Sequence, residues 1–210
     1  MLSFPGSDFF SNLSDSSIPS LNVTMKSFQF FSSLLLPLLS TYPDPAAAQL
    51  TIQTTPSLNV TAIASRDGVS AIECWQIPGF KASADKGTVG SLSLFLGDTA
   101  NATYTVLPPR FDGGVHNAPV NQFVLFMSGL AHVTLPNTTI SPTTSAWVQG
   151  GKYGLIIAAD TSGVSKYGHA TAYPSDADTV ALQVPFKDGI IPDHTVLYDG
   201  PCLWSEMIGV

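Results

Sequence analysis

The chain has 210 residues, of which 44% are hydrophobic and only 11% are charged, and its formal net charge is −7. This composition predicts a compact globule with a large core, and the charge argues against nucleic-acid binding because no basic stripe exists to pair with phosphates. The negative charge also disfavours an anionic membrane surface as a partner, and no apolar run is long enough to span a bilayer.

The N-terminal region has the pattern of a secretory signal peptide. A basic start at Met25-Lys26 is followed by an apolar stretch over residues 28–39 and by the small residues Ala46-Ala47-Ala48. These are the three regions of a cleavable signal. The alternative is a cytosolic protein with an apolar N-terminal helix.

The signal divides the chain into three parts. We predict a signal peptide over residues 25–48, a mature domain over 49–210 and a secreted, extracellular protein. Residues 1–24 are Ser-rich and carry no basic start of their own. We interpret them as an extension of the gene model or as a disordered segment.

The mature domain contains features typical of secreted proteins. Cys74 and Cys202 form an even pair, which predicts one disulfide in an oxidising compartment; two free buried thiols are the alternative. Three Asn-x-Thr sequons predict a glycoprotein with glycans on Asn59, Asn101 and Asn137.

From Gln49 onward, short apolar segments rich in β-branched and aromatic residues alternate with turns of Gly, Pro, Asn and Asp. No window shows a helical period, so we predict an all-β single domain, either a barrel or a jelly-roll-like double sheet. The segments 123–127 and 131–135 are expected to form a hairpin around Ser128-Gly129. The predicted strands are, in order, 58–64, 72–77, 91–96, 103–107, 123–127, 131–135, 147–148, 155–159, 169–173, 179–185 and 195–198.

The segment from Pro108 to Gly129 is the best candidate site, because it concentrates polar side chains directly before an apolar strand. Polar loops at the mouth of a β structure commonly carry function. The polar residues of the segment are Arg110, Asp112, His116, Asn117, Asn121 and Gln122.

This segment resembles the first motif of the cupin superfamily, G-x5-H-x-H-x3/4-E-x6-G. His116 matches the first histidine and Gly129 the closing glycine, with Gln122 at the position of the glutamate. The sequence departs from the motif at Ala118, which replaces the second histidine, and at Arg110, which replaces the opening glycine. The chain is similar in length and layout to small secreted cupin-like proteins of fungi, with degenerate metal motifs.

The resemblance implies a cupin-type β-barrel whose lumen binds a small organic molecule. The implied function is an enzyme of secondary metabolism, either a metal-assisted oxygenase or an isomerase, cyclase or decarboxylase. The alternative is a non-catalytic ligand-binding, cell-surface or host-interaction protein. A homodimer is a further expectation.

The candidate residues receive the following roles. We expect His116, Arg110 and Gln122 to be catalytic. The alternatives are that His116 is a surface-loop histidine that fixes the turn, and that Arg110 forms an ion pair with Asp112 that only holds the loop. Substrate contacts are expected from Asp112, Asn117, Asn121 and Phe126. If one divalent transition metal (Fe, Mn, Cu or Ni) is bound, its expected ligands are His116, His169 and Gln122.

Overall fold

The computed structural model describes residues 56–137, 139, 142–206 and 208–209. All of them belong to one compact unit that spans residues 50–210. The predicted signal peptide over 25–48 and the segment 1–24 lie outside the described residues.

The described chain is all-β, as the sequence predicts, and within it the only helix is a 3-10 turn, Lys187–Gly189. No helix in this part of the chain is long and apolar enough to cross a membrane. The strands are β1 (Ser57–Arg66), β2 (Val69–Pro78), β3 (Lys81–Ala82), β4 (Leu92–Ser93), β5 (Thr103–Leu107), β6 (Phe111–His116), β7 (Gln122–Phe126), β8 (Leu130–Thr134), β9 (Ser145–Gln149), β10 (Leu155–Ala158), β11 (His169–Tyr173), β12 (Thr179–Pro185), β13 (Thr195–Asp199) and β14 (Ile208–Gly209).

The larger sheet has the strand order β13-β2-β1-β10-β7-β12-β5, and β14 also pairs with β1. Strands β1 and β2 form a long hairpin, whose turn residues Asp67 and Gly68 both have positive φ angles, 51° and 76°. Two consecutive positive φ angles match the right-handed twist of a two-residue hairpin. Strand β10 then lies parallel to β1 and antiparallel to β7.

The smaller sheet has the order β6-β11-β8-β9, and β3 and β4 form a separate two-stranded ribbon. The two main sheets share a core, since Val124 and Ala181 of the larger sheet pack in one buried cluster with Val133 and Val148 of the smaller one. The strands of the described residues do not close into a barrel, so the expected closed barrel is not found.

The predicted hairpin of the segments 123–127 and 131–135 is wrong. Strand β7 pairs with β10 and β12, whereas β8 pairs with β9 and β11 of the other sheet. The connection between them crosses from one sheet to the other. Gly129 permits this crossing, because it has a φ of +80° and a Cβ there would lie 2.2 Å from the Thr179 hydroxyl oxygen.

Candidate functional site

A cavity of about 100 Å³ lies between the two main sheets. Its walls are largely apolar side chains of the shared core, such as Val124 and Phe126. Several polar side chains interrupt this lining, which is the composition that small-molecule sites commonly have. They are His116, Gln122, His169, Thr171, Tyr173 and Gln183.

Strand pairing brings two histidines together at one end of the cavity. His116 at the end of β6 is the direct register partner of His169 at the start of β11, and their ring centroids are 4.5 Å apart. His169 is only 4% exposed, whereas His116 is exposed to solvent. His116 therefore stands at the mouth of the cavity and His169 further inside.

Gly168 makes this close approach possible. It has a φ of +63°, and a Cβ at this position would lie 2.3 Å from the backbone oxygen of His116. Any other residue would push strands β6 and β11 apart at this point, because backbone atoms cannot rotate out of the way as a side chain can.

A fully buried carboxylate fixes the orientation of His169. Asp160 follows strand β10, is 0% exposed, and its Oδ2 lies 2.8 Å from His169 Nδ1. Because a carboxylate only accepts hydrogen bonds, Nδ1 carries the proton and Nε2 is left as the basic nitrogen of the ring. The same carboxylate accepts from the Ser70 hydroxyl at 2.7 Å and from the Ala118 amide at 3.3 Å.

A second layer of hydrogen bonds holds Asp160 in place. The Asn117 amide nitrogen donates to the backbone oxygens of Asp160, at 2.9 Å, and of Ser165, at 3.0 Å. The Ser165 hydroxyl is 2.7 Å from that of Ser70. Asn117, which the sequence predicts as a substrate contact, thus positions the carboxylate that orients His169.

His116 is held in a similar way by its own strand. Its Nδ1 lies 3.1 Å from the backbone oxygen of Gly114, and since a carbonyl only accepts, Nδ1 is again the donor. Both cavity histidines therefore keep Nε2 without a hydrogen-bond partner among the described residues. A neutral imidazole held in this tautomer can take up a proton at Nε2.

Gln122 brings an unpaired amide into the cavity. It is 7% exposed, yet its side chain has no hydrogen-bond partner among the described residues. The only fully buried side-chain N or O atom without a partner in the described residues is Thr179 Oγ1, so the Gln122 amide is not fully enclosed by protein. The Gln122 amide is therefore available to hydrogen-bond a molecule bound in the cavity that it lines.

Two of the predicted site residues, Arg110 and Asn121, lie away from the cavity and have partners elsewhere. The Arg110 side chain is 76% exposed and pairs with Asp176, at 2.6 Å between Nη2 and Oδ1, instead of with Asp112. Asn121 donates to the backbone oxygen of Gly189 at 2.9 Å. The roles expected of Arg110 and Asn121 at the site are not supported by these positions.

Asp112 is turned away from the cavity by a β-bulge. The register of β6 against β11 shifts by one residue between Val115 and Asp112, at Gly113-Gly114. One extra residue reverses the face on which the following side chains lie. Asp112 is consequently exposed, and its Oδ1 accepts from the Gly114 amide at 2.9 Å instead of facing a ligand.

The predicted disulfide is confirmed: Cys74 and Cys202 are bonded, and both are buried. The sequon at Asn59 is a poor glycan acceptor in this fold, because Asn59 is 8% exposed and its amide nitrogen donates to the backbone oxygen of Glu206. Asn101 is exposed and Asn137 is half-buried, so glycosylation at these two positions stays a prediction.

A resident transition metal does not fit the donors around the cavity. In the described part of the chain, no three His, Cys, Asp or Glu side chains are grouped so that they could hold a metal ion. Of the three expected ligands, Gln122 supplies only a neutral amide, and the nearby Asp160 carboxylate is already bound to His169 and Ser70. Catalytic metal sites generally take three protein ligands of the imidazole, thiolate or carboxylate type.

Sequence reasoning missed the groups that support His169. Asp160 had one visible signal, since it is a charged residue at the end of the apolar segment Leu155 to Ala159 in a chain with few charges. Ser70 and Ser165 had none, because both are ordinary serines in turns and strands until the fold brings them to Asp160.

Comparison with models of known protein families found no match, and comparison with curated proteins found none either.

Proposed function

We propose that this protein binds a small organic molecule in the cavity between the sheets and carries out acid–base chemistry on it. The observation that carries the proposal is the buried Asp160–His169 pair, which leaves a basic Nε2 at the cavity. General acid–base catalysis by a positioned histidine typically contributes a factor of about 10²–10⁴ in rate.

The size of the cavity limits the ligand. A cavity of about 100 Å³ is smaller than the roughly 150 Å³ in which an engineered apolar cavity binds benzene. Drug-sized ligands generally occupy about 300 Å³ or more. The proposed ligand is therefore smaller than a six-membered ring.

The two histidines take different roles in this proposal. His169 is the proton acceptor, because Asp160 fixes its tautomer and would stabilise the imidazolium that forms. His116, at the solvent side and 4.5 Å from His169 between ring centroids, would pass protons to and from bulk water. Gln122 would orient the ligand through its amide.

We also propose that the protein is a remote relative of the cupins and that it is secreted. The all-β double sheet and the position of His116 and Gln122 at one cavity support a remote resemblance to cupins, while the open sheets differ from a cupin barrel. Of the implied reaction classes, the donor set favours an isomerase-type reaction over a metal-assisted oxygenase. The Cys74–Cys202 disulfide supports an extracellular location.

Binding can be tested by NMR on the secreted protein with labelled histidine side chains. Titration with a library of small fragments, each smaller than a six-membered ring, should shift the signals of His169 and His116. The signals of His132 and His194 should not move, because these rings stack on Trp147 and Trp75. A library in which no fragment moves His169, or in which all four histidines respond equally, would contradict the proposal.

The matched variants are His169→Gln and His132→Gln. The first removes the cavity base while keeping a polar side chain beside Asp160, and it should weaken fragment binding at least about tenfold, which corresponds to roughly 1.4 kcal/mol. The second changes a histidine of the outer face and should leave binding unchanged.

A further inference from the structure

We propose that the ligand is a small neutral carbonyl compound with an acidic C–H bond beside the carbonyl group. In this inference His169 removes the proton, and the amide N–H groups of Gln122 and Gln183 hold the carbonyl oxygen. The inference rests on the proposed function and adds the chemical class of the substrate.

Gln183 presents hydrogen-bond donors to the cavity. Its Oε1 accepts a hydrogen bond from the hydroxyl of Thr105 at 2.9 Å. The NH₂ end therefore remains for the cavity, which Gln183 lines. Two N–H donors without an acceptor favour a ligand that brings an oxygen.

Gln122 and Gln183 can reach the same ligand atom. Gln183 of β12 is the register partner of Val124 in β7, and Val124 is two residues from Gln122 on the same face. Diagonal neighbours of this kind lie about 7–8 Å apart at their backbones, which is within reach of two glutamine side chains. Their amides thus form a pair of donors on one wall of the cavity.

Tyr173 adds a third donor on the opposite sheet. It lines the cavity from β11, and its hydroxyl has no hydrogen-bond partner among the described residues. Burial raises the pKa of Tyr173 above its ordinary value, so the hydroxyl stays protonated at neutral pH. It can therefore donate a hydrogen bond to a ligand oxygen.

The lining also indicates that the ligand is neutral. None of the described residues that line the cavity is a lysine or an arginine, and Asp160 lies directly behind His169. A carboxylate or phosphate would be buried without a lysine or arginine to pair with and close to the Asp160 carboxylate, which is unfavourable. A neutral carbonyl oxygen meets the N–H and O–H donors without this penalty.

The reaction that fits these groups is a proton shift. His169 Nε2 takes the proton from the carbon beside the carbonyl, the C–H electron pair becomes a C=C bond, and the C=O π pair moves to the oxygen. The amides stabilise the charge that develops on this oxygen, as oxyanion-binding donors do in other enzymes. The imidazolium then returns the proton to the oxygen or to another carbon, so no oxidant or second reactant is consumed.

The experiment follows exchange of these protons for deuterium by NMR in D₂O. Acetone and cyclobutanone serve as carbonyl probes, with propan-2-ol and acetate as the alcohol and anion that match acetone in size. The protein should accelerate exchange beside the carbonyl at least tenfold over buffer. His169→Gln should abolish the acceleration, while His132→Gln should retain it.

The donors are tested separately with Gln183→Leu, which removes the amide from a half-buried position, and with Gln122→Leu. Each should lower the exchange rate at saturating ketone at least tenfold, with an unchanged melting temperature showing that the variant is folded. A purely structural role for either glutamine would lower the melting temperature and leave the exchange rate of the folded protein intact.

The outcomes separate this inference from the proposed function. Ketones that move the His169 signal but show no accelerated exchange would overturn the carbonyl inference and leave ligand binding intact. Tighter binding of acetate than of acetone would overturn the neutral-ligand argument. If no probe and no fragment moves His169, both the inference and the proposed function fail.

Discussion

Two buried carboxylates in this protein, Asp160 and Glu73, each hold a polar cluster together, but only the cluster around Asp160 leads to a cavity. Asp160 binds His169, Ser70 and the Ala118 amide, and the cluster ends at an Nε2 that faces a cavity. Glu73 accepts from Arg66 Nη2 at 2.6 Å and from Trp75 Nε1 at 2.7 Å, so both of its oxygens are bound within the protein.

We call the second cluster the Arg66 cluster (Arg66, Glu73, Trp75 and Asp199). Its hydrogen bonds join only its own members. Arg66 also binds both carboxylate oxygens of Asp199 in the edge strand β13. Hydrogen bonds to Asp199 and to Glu73 raise the pKa of Arg66, which therefore stays charged. A buried charge alone therefore does not mark a site, and the two clusters differ in that only the one around Asp160 leads to a cavity.

The disulfide belongs to the region of the Arg66 cluster, and breaking it should have the largest effect on stability. Cys74 is the residue after Glu73, and the bond closes a sequence separation of 128 residues. Replacing both cysteines with alanine should lower the free energy of unfolding by about 4 kcal/mol, because the unfolded chain gains conformational freedom. Urea unfolding of the variant and of the disulfide-bonded protein measures this difference.

Loss of the disulfide should leave the structure of the cavity unchanged as long as the protein stays folded. The NMR signals of His169 and His116 in the double alanine variant should match those of the parent. Shifted signals would mean that the disulfide also shapes the cavity, and the separation of the two regions would be lost.

Asp160→Ala should have the next largest effect, and it should affect both stability and binding. It leaves the donors of His169, Ser70 and Ala118 without their acceptor in a fully buried position, which we expect to cost about 3 kcal/mol. Urea unfolding gives the loss of stability, and the histidine NMR titration gives the loss of fragment binding.

Asp160→Asn is the matched control for size. It keeps an acceptor oxygen but replaces the other oxygen with a donor, so it should lose less stability than Asp160→Ala and still misorient His169. Equal fragment binding in the parent and in Asp160→Asn would show that the carboxylate only supports the fold.

Glu73→Gln tests the Arg66 cluster and should lower the free energy of unfolding by about 1–2 kcal/mol, less than Asp160→Ala does. The reason is that the glutamine amide can accept the hydrogen bond of either Arg66 or Trp75, but not both with equal geometry. Fragment binding should be unchanged, since none of the residues in this cluster lines the cavity. A weaker fragment affinity in Glu73→Gln would show that the two clusters are coupled through the larger sheet.

The sequence predicts the positions of the strands better than it predicts which strands pair with each other. Alternating apolar residues locate most strands to within a few residues, but β6 is absent from the predicted strands because its Gly113-Gly114 bulge breaks the alternation. The predicted strand 91–96 forms pairs only at Leu92–Ser93, since its other apolar residues, Leu94 and Leu96, cover the outer face of the larger sheet.

The candidate site was predictable only where it depends on local pattern. His116 and Gln122 stand at motif positions, and His169 follows a glycine that the turn requires. The Asp160–His169 bond joins a residue that follows β10 of the larger sheet to one in β11 of the smaller sheet, and Gln183 reaches the cavity through pairing with β7. Such contacts follow from sheet topology, which alternation of apolar residues does not encode.

Asp199→Asn should have the smallest effect on stability, and it tests whether the contribution of the Arg66 cluster to stability depends on pH. Hydrogen bonding to Arg66 lowers the pKa of Asp199 in the folded protein below its ordinary value of about 4. The ion pair therefore adds stability above that ordinary value and loses it as the pH falls through the lower folded-state pKa. Because both side chains are about one-third exposed, we expect no more than about 0.5–1 kcal/mol at neutral pH.

The measurement is the difference in unfolding free energy between the parent and Asp199→Asn, taken at several pH values from neutral to acid. This difference should be constant at neutral pH and should shrink below about pH 4, as the carboxylate of the parent is protonated. Arg66 keeps its bond to Glu73 in the variant, so the rest of the cluster should survive. A difference that grows toward acid pH would mean that Asp199 is stabilised in its protonated form, against the geometry of its pair with Arg66.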